Sequence, residues 1–243
     1  MKIALAQTKP HKGDILRNID DHLDFARLAS EHGADAIFFS ELSLTGYEPE
    51  LAKDLSTSID DVRLDRLQKF STEYQITIGT GLPIQSNDGI HISMVILPPD
   101  QTRTVYHKQF LHEDEEPFFV PGQTTNYIDI KGLRIGLAIC YEISRPEHVE
   151  AAINNGAKLY LASVAKFADG VEQAFPRLKH IATENNMITC MVNSVGPADN
   201  GICTGKSCVW SRSGELLINL SSDQEGIVIF DTSSQSSPIS LYI

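Results

Sequence analysis

The sequence predicts an α/β protein in which two β-sheets pack together inside helical layers. Three observations carry this. Short apolar runs alternate with amphipathic stretches along the whole chain, as strands and their covering helices do. The helical patterns cover only one face of each sheet, so the uncovered faces must find each other. A weak internal echo points the same way. HGADAIFFSE (His32–Glu41) and NGAKLYLASV (Asn155–Val164) each run from a helix end through Gly-Ala and a charged residue into a buried strand that reaches a serine. Any two ordinary helix-to-strand connections share that pattern, so the echo decides little alone.

The elements follow in order. KIALAQ (Lys2–Gln7) reads as a strand. Ile15, Ile19, Leu23 and Ala26 recur at helical spacing, with Asp14 as N-cap and Gly33 as the stop. AIFFS (Ala36–Ser40) is a buried strand, and a second helix is expected from about Ile59 to Tyr74 with Ser58 as its cap. TIGTG, ISMVIL and TRTVYH are strands separated by Gly, Pro and Asp turns. KQFLHEDEEPFFVPG (Lys108–Gly122) is acidic and without period. YIDIKGLRIGLAIC reads as a hairpin turning at Lys131-Gly132. A helix over Pro146–Asn155 stops at Gly156, with proline suited to its first turn. KLYLAS is a strand, Val171–Glu184 a helix, and Ile188–Asp231 is rich in strands around the turn SRSGE. TSSQSSPIS, from about residue 232, is a polar tail expected to be mobile or draped on a partner. No linker divides the chain, so residues 1–243 are read as one domain.

Composition narrows the classes. Apolar content of 42% and charged content of 21% are those of a soluble globular protein. A chain this long buries a core without disulfides or metals. The net charge of −12 argues against nucleic acid and anionic membrane as partners, since both would repel it. The apolar run after Lys2 is too short for a signal peptide, and no segment approaches the length of a membrane span, so a cytoplasmic location is expected. Cys140, Cys190, Cys203 and Cys208 form no CxxC and have no histidine at zinc spacing; free thiols are expected. HExxH is absent, and GTGLP lacks the length and the lysine of a phosphate loop. Neither a metal nor a cofactor is expected.

Three strands finish on a reactive residue: Glu41 after AIFFS, Lys108 after TVYH and Cys140 after IGLAI. Singly, each has a plainer account: a surface carboxylate, a solvated cation, a small apolar filler. Together they make a chemical set. A thiol attacks a carbonyl carbon, a carboxylate takes and returns its proton, and an ammonium with a backbone N–H steadies the oxyanion. A thiol in this role must also be the most reactive of the four. Lys108 nearby is expected to lower its pKa while Glu41 accepts its proton. His107, His112 and His148 read as loop and helix surface.

These segments resemble the signature segments of the nitrilase superfamily, the carbon–nitrogen hydrolases. SELSLTGYEP is similar to the glutamate segment, YHKQFLH to the lysine segment, GLAICYEISRPE to the cysteine elbow and EEPFFVPG to the lid, in the family's order over nearly the whole chain. The resemblance implies a four-layer αββα sandwich of two β-sheets flanked by helices. It implies Glu41 as general base and acid, Lys108 as the oxyanion cation, Cys140 as nucleophile, and a supporting lid glutamate at Glu115, with Glu116 the near miss. The Tyr141 N–H would complete the oxyanion hole, and Tyr47, Glu142, Arg145 and Lys166 would lie at the substrate. Departures occur at Ser40, Glu142, Arg145 and Lys166-Phe167, which puts the substrate rather than the reaction in question. The implied activity is hydrolysis of a carbon–nitrogen bond in a small amide or carbamoyl amide through a cysteine thioester. The alternatives are a true nitrilase and a non-hydrolytic or acyl-transferring protein of the same fold. A homodimer is also implied. The leading substrate is a small amide bearing a carboxylate, met by Lys166 or Arg145; the alternative is an amine met by the acidic lid, as in a carbamoylated polyamine.

Overall fold

The computed structural model describes residues 1–233 and 238–242. The first half of the chain runs β1 (Lys2–Gln7), α1 (Ile15–Glu31), β2 (Ala36–Phe39), the short α2 (Ala52–Leu55), α3 (Asp65–Tyr74), β3 (Thr77–Gln85), β4 (Ile90–Leu97) and β5 (Thr104–His107). The second half opens with β6 (Tyr127–Ile130), β7 (Leu133–Ile139), α4 (Pro146–Asn154), β8 (Leu159–Val164), α5 (Ala168–Asn185) and β9 (Ile188–Asn193). It closes with β10 (Val195–Ala198), β11 (Gly201–Thr204), β12 (Cys208–Trp210), β13 (Leu216–Asn219), β14 (Gly226–Asp231) and β15 (Ile239–Tyr242). One sheet has the order β15-β14-β1-β2-β3-β4-β5 and the other β13-β12-β9-β8-β7-β6, with β10–β11 as a separate hairpin.

Period-two alternation builds the four layers. Ile3 and Leu5 of β1 and Phe38 of β2 share the inter-sheet core with Leu137, Leu161 and Val192. Their neighbours Ala4, Ala6, Ile37 and Phe39 belong to an outer core with Ile19 and Phe25 of α1 and Leu67 and Phe70 of α3. On the second sheet, Ala138, Tyr160 and Ala162 pack with Val149 of α4 and Val171 and Leu178 of α5. The central strands are parallel and buried on both faces, which is why they read as unbroken apolar runs.

The echo between the halves is structural. Gly33 and Gly156 both follow a helix end with positive φ, 73° and 85°. The next residues repeat the same bonds: Ala34 N–H to Ala29 O and Ala157 N–H to Ala152 O, both 3.0 Å, then Asp35 N–H to Lys2 O and Lys158 N–H to Arg134 O. Each connection feeds a strand, β2 or β8, lying parallel between two others.

Local chemistry explains most boundaries. Asp14 caps α1 by accepting from Arg17 N–H. Lys131 and Gly132 both have positive φ, the turn that closes a two-residue hairpin between β6 and β7. Three expectations are corrected. The second helix starts at Asp65, after a 3-10 turn over Val62–Leu64, and not at Ile59. Ser58 does not cap it: Asp61 caps the 3-10 turn instead, accepting from Arg63 N–H at 2.8 Å and from the Thr57 hydroxyl at 2.7 Å, and α3 begins without a side-chain cap. α5 begins at Ala168, three residues before Val171. The tail is not wholly loose, because Ile239–Tyr242 adds the edge strand β15 to β14, with Tyr242 OH accepting from Ser221 N–H. Residues 234–237 of that tail lie outside the described residues.

Candidate active site

The three strand ends converge. Glu41 stands in the turn after β2, where a close approach to β3 requires glycine: a Cβ on Gly81 would sit 2.2 Å from Leu42 N and 2.7 Å from Ser40 O. Lys108 follows β5. Its N–H donates to Ile92 O at 2.9 Å, and its carbonyl accepts from Gly122 N–H at 2.7 Å, so the end of the acidic segment returns against it. A Cβ on Gly122 would be 2.3 Å from His107 Cβ. Cys140 follows β7 and opens a 3-10 turn, Cys140–Ser144, with φ of +45°. That conformation costs a non-glycine residue on the order of 1–3 kcal/mol and persists only when its surroundings over-determine it.

Glu142 supplies that over-determination. Its carboxylate accepts from Ile139 N–H at 2.6 Å, Gln109 N–H at 2.5 Å and the Tyr106 hydroxyl at 2.7 Å. Tyr106 OH in turn meets His148 Nε2 at 2.8 Å, and His148 Nδ1 meets Tyr160 OH at 2.9 Å. Glu142 thus fastens the cysteine turn to the segment that carries Lys108. Burial pushes its carboxyl up to about 7, against the lowering pull of those donors.

The charges are few and buried. Lys108 Nζ donates to Glu41 Oε1 at 2.8 Å and to Glu115 Oε1 at 2.6 Å, and all three side chains are shielded from solvent. Glu41 Oε2 accepts from Ala165 N–H at 3.2 Å. Glu115 accepts from Tyr47 OH at 2.9 Å and His112 N–H at 2.8 Å. Burial works to lower the Lys108 pKa, but Glu41, Glu115 and the neighbouring thiol overcome it and hold the ammonium above its ordinary value. Burial raises Glu41, with Lys108 opposing. The thiol of Cys140 is pushed up to about 11, by burial first and by Glu41 second, while Lys166 and Lys108 pull it down. Lys108 lowers the thiol as expected, but burial and the Glu41 charge outweigh it, so the net shift is upward.

Cys140 opens into a cavity of about 420 Å³, lined by Tyr47, Lys108, Glu115, Tyr141, Lys166 and Phe167 among others. Clefts of about 480 and 640 Å³ lie elsewhere but contain no member of this constellation, so chemistry rather than size selects the site. Glu115, not Glu116, is the carboxylate on Lys108. Two residues expected at the substrate are elsewhere. Glu142 is fully buried behind the cysteine turn. Arg145 pairs with Glu147 and stacks over Phe110, outside the cavity. His148, expected on a surface, is buried in the network behind Glu142, because α4 turns that face inward. Ala165 N–H, Asp169, Asp199 and Asn193 escaped the sequence reading. Backbone groups and isolated polar residues carry no spacing signal. Among the described residues no three side chains are grouped to hold a metal ion.

The carbon-nitrogen hydrolase family model matches residues 2–237. The chain belongs to the carbon-nitrogen hydrolase family. Among solved carbon-nitrogen hydrolases, it is similar to the amidase from Nesterenkonia sp. AN1. A glutamate-to-glutamine mutant of that amidase, showing Michael addition of acrylamide at its active-site cysteine, matches with a TM-score of 0.86 and 27% identity over 95% of this chain and 92% of that one. A cysteine-to-alanine mutant of the same amidase in complex with butyramide gives a TM-score of 0.85 at 27% identity, covering 95% and 90%. The (R)-stereoselective amidase of a Pseudomonas species is 26% identical over 228 residues, 92% of this chain and 82% of that protein. The glutamine-dependent NAD(+) synthetase of Thermotoga maritima is 27% identical over 230 residues, 89% of this chain but 39% of the synthetase. The chain thus spans about two fifths of the length of the synthetases it matches.

Proposed function

We propose that this chain hydrolyses the carbon–nitrogen bond of a small amide, with Cys140 as nucleophile, Glu41 as general base and acid, and Lys108 as oxyanion cation. One observation carries the reading: a buried ammonium clamped between two carboxylates beside a thiol on a strained turn. Lys108 has three N–H groups, and Glu41 and Glu115 take two, which leaves one for a reacting oxygen. Ionised Glu41 takes the Cys140 proton as sulfur bonds to the carbonyl carbon. The displaced electron pair settles on oxygen, facing Lys108 Nζ and the Tyr141 N–H. The carbon–nitrogen bond then breaks, and Glu41 gives its proton to the departing nitrogen, leaving a thioester. Water loses a proton to Glu41 and attacks the thioester. The carbon–sulfur bond breaks, Glu41 returns its proton to the sulfur, and the acid leaves with the thiol restored.

Relatives named as amidases, and the solved amidase with an amide at its site, support an amide over a nitrile. The test is ammonia release from a panel of small amides, ureido compounds and nitriles, with products identified. Cys140-dependent conversion of an amide to its acid supports the reading. Acid from nitriles alone, or acyl transfer without acid, overturns it. A homodimer in the cytoplasm is part of the same proposal. Among the described residues no helix is long and apolar enough to cross a membrane. A monomer at micromolar concentrations in sedimentation would refute the dimer.

A further inference from the structure

Helix α1 buries two polar side chains among its apolar ones, Asn18 and His22. Four residues apart, they share one face of the helix. Both reach the turn that carries Glu41. Asn18 Nδ2 donates to Leu44 O at 2.9 Å. His22 Nε2 meets Ser43 Oγ at 3.0 Å, and its ring stacks on Phe39 with centroids 3.7 Å apart. Ser43 Oγ also accepts from Gly81 N–H at 3.1 Å and meets Thr80 Oγ1 at 3.2 Å. The turn is tight. Ser43 N–H donates to Ser40 O, Leu44 N–H donates to Gly81 O, and Leu42, next to Glu41, has φ of +50°. That conformation, like the one at Cys140, persists only when its surroundings hold it.

An apolar ring would fill this place in the core without leaving a polar atom unpaired. His22 is buried, its Nδ1 has no hydrogen-bond partner among the described residues, and burial keeps the ring neutral by holding it down to about 3. An unpaired buried nitrogen is a cost to the fold. The bond that the ring does make goes to Ser43, two residues beyond the proposed base. The cysteine turn has a matching arrangement. His148, buried on its covering helix α4, meets Tyr106 OH, which donates to Glu142. Each turn that carries a reactive side chain thus has a positive-φ residue, Leu42 or Cys140, and a buried imidazole behind it.

We propose that His22 is a positioning residue for Glu41: through Ser43 it holds the glutamate turn against Gly81, so that the carboxylate stays on Lys108, beside the thiol. Its meaning for catalysis rests on the amide-hydrolase reading, but the first readout needs no turnover. The pH midpoint of Cys140 alkylation by iodoacetamide is measured for the unaltered protein and for His22→Phe, His22→Gln, Ser43→Ala and Glu41→Gln. Phenylalanine keeps a ring on Phe39 and removes the bond to Ser43, whereas glutamine supplies a polar group in place of Nε2. Phe70→Leu, in the same outer core, controls for loosened packing. The Glu41 charge helps to lift the thiol to about 11, so a displaced carboxylate lets the midpoint fall. His22→Phe and Ser43→Ala should move it down toward the Glu41→Gln value, His22→Gln should restore it, and Phe70→Leu should leave it in place. On an amide that the unaltered protein hydrolyses, His22→Phe should lower kcat by about tenfold or more with little change in KM, and His22→Gln should recover it. A midpoint unmoved in His22→Phe and Ser43→Ala, no restoration by glutamine, or an equal fall in Phe70→Leu overturns the proposal. If His22→Phe does not fold, Ser43→Ala, which removes only a hydroxyl, carries the same test. Failure of the hydrolase reading shows separately, as no ammonia released from any amide by the unaltered protein, while the midpoints still report whether His22 holds Glu41.

Discussion

Replacing Glu41 by glutamine separates two roles that the proposed mechanism asks of one carboxylate. As the proposed proton carrier, Glu41 would be worth about 10²–10⁴ in turnover, the scale of general acid–base catalysis. As a buried negative charge, it is the second cause lifting the Cys140 thiol to about 11. With that pKa, roughly 10⁻³ of the thiol is ionised at pH 8. Removing the charge lets Lys166 and Lys108 act without opposition from Glu41, so the thiol pKa should fall. The two readouts therefore diverge. Ammonia release by Glu41→Gln should drop by about two to four orders of magnitude. The pH midpoint of Cys140 alkylation by iodoacetamide, read by peptide mass, should move down from about 11. The unaltered protein should also lose activity as pH falls through the raised Glu41 value, because the base must be ionised to accept the thiol proton. That acid limb should vanish in the variant. Turnover within tenfold of the unaltered protein, or a midpoint that stays or rises, would refute the reasoning.

Cys140→Ala removes the attacking atom, and residual hydrolysis above a tenth of the original rate on any true substrate would eliminate the thiol as nucleophile. Lys108→Ala should cost about two to three orders of magnitude in turnover, and Lys108→Arg should rescue little, because a planar guanidinium cannot occupy the same point between Glu41 and Glu115; near-normal rates in either contradict the oxyanion role. A substoichiometric alkylating reagent should mark Cys140 before Cys203 and Cys208, both pushed up to about 12, and before the fully buried Cys190, since Cys140 alone of the four keeps partial solvent exposure; even labelling would count against it. His22 is fully buried and held down to about 3 by burial, so it disfavours folding once protonated. Its contribution is complete above the unfolded value near 6.5 and is lost as pH falls toward 3, up to about 5 kcal/mol. His22→Phe should flatten that acid limb in denaturant titrations, and an unchanged slope between pH 6.5 and 3 would sink the idea.

The sequence made some of this legible and hid the rest for physical reasons. Strands such as Ala36–Phe39 and Leu159–Val164 stand out because burial on both faces keeps the run apolar, Ser163 near the end of the second being the exception. Two members of the proposed triad, Glu41 and Cys140, were readable because each follows such a run, where apolar text stops and chemistry starts; Lys108 follows a half-exposed strand and was readable only beside them. Glu142 was misplaced for a related reason: two residues after Cys140 in sequence, it was read as facing the substrate, yet a 3-10 turn points it backwards onto Ile139 N–H and Gln109 N–H. His148 fell on a helix with no marked face, and only the register of α4 against β7 sends it inward to Tyr106. The start of α3 was hidden because the capping side chain, Asp61, serves the 3-10 turn over Val62–Leu64 that precedes it, while α3 itself begins with no side-chain cap.

The internal echo gains its meaning from where the site stands. Glu41 and Lys108 come from the ends of β2 and β5 in one sheet, Cys140 and Lys166 from the ends of β7 and β8 in the other. The two sheets are bound at this edge by Ser163 OH donating to Phe39 O at 2.9 Å and by Ala165 N–H donating to Glu41 Oε2 at 3.2 Å. The repeated helix-glycine-strand unit ends β2 and β8 side by side, so the base of one half meets the backbone of the other. A buried ammonium between two carboxylates adds little to stability, since desolvation offsets most of the attraction. Its value lies in position: both carboxylates hold Lys108 Nζ at the wall of the cavity that Cys140 also lines.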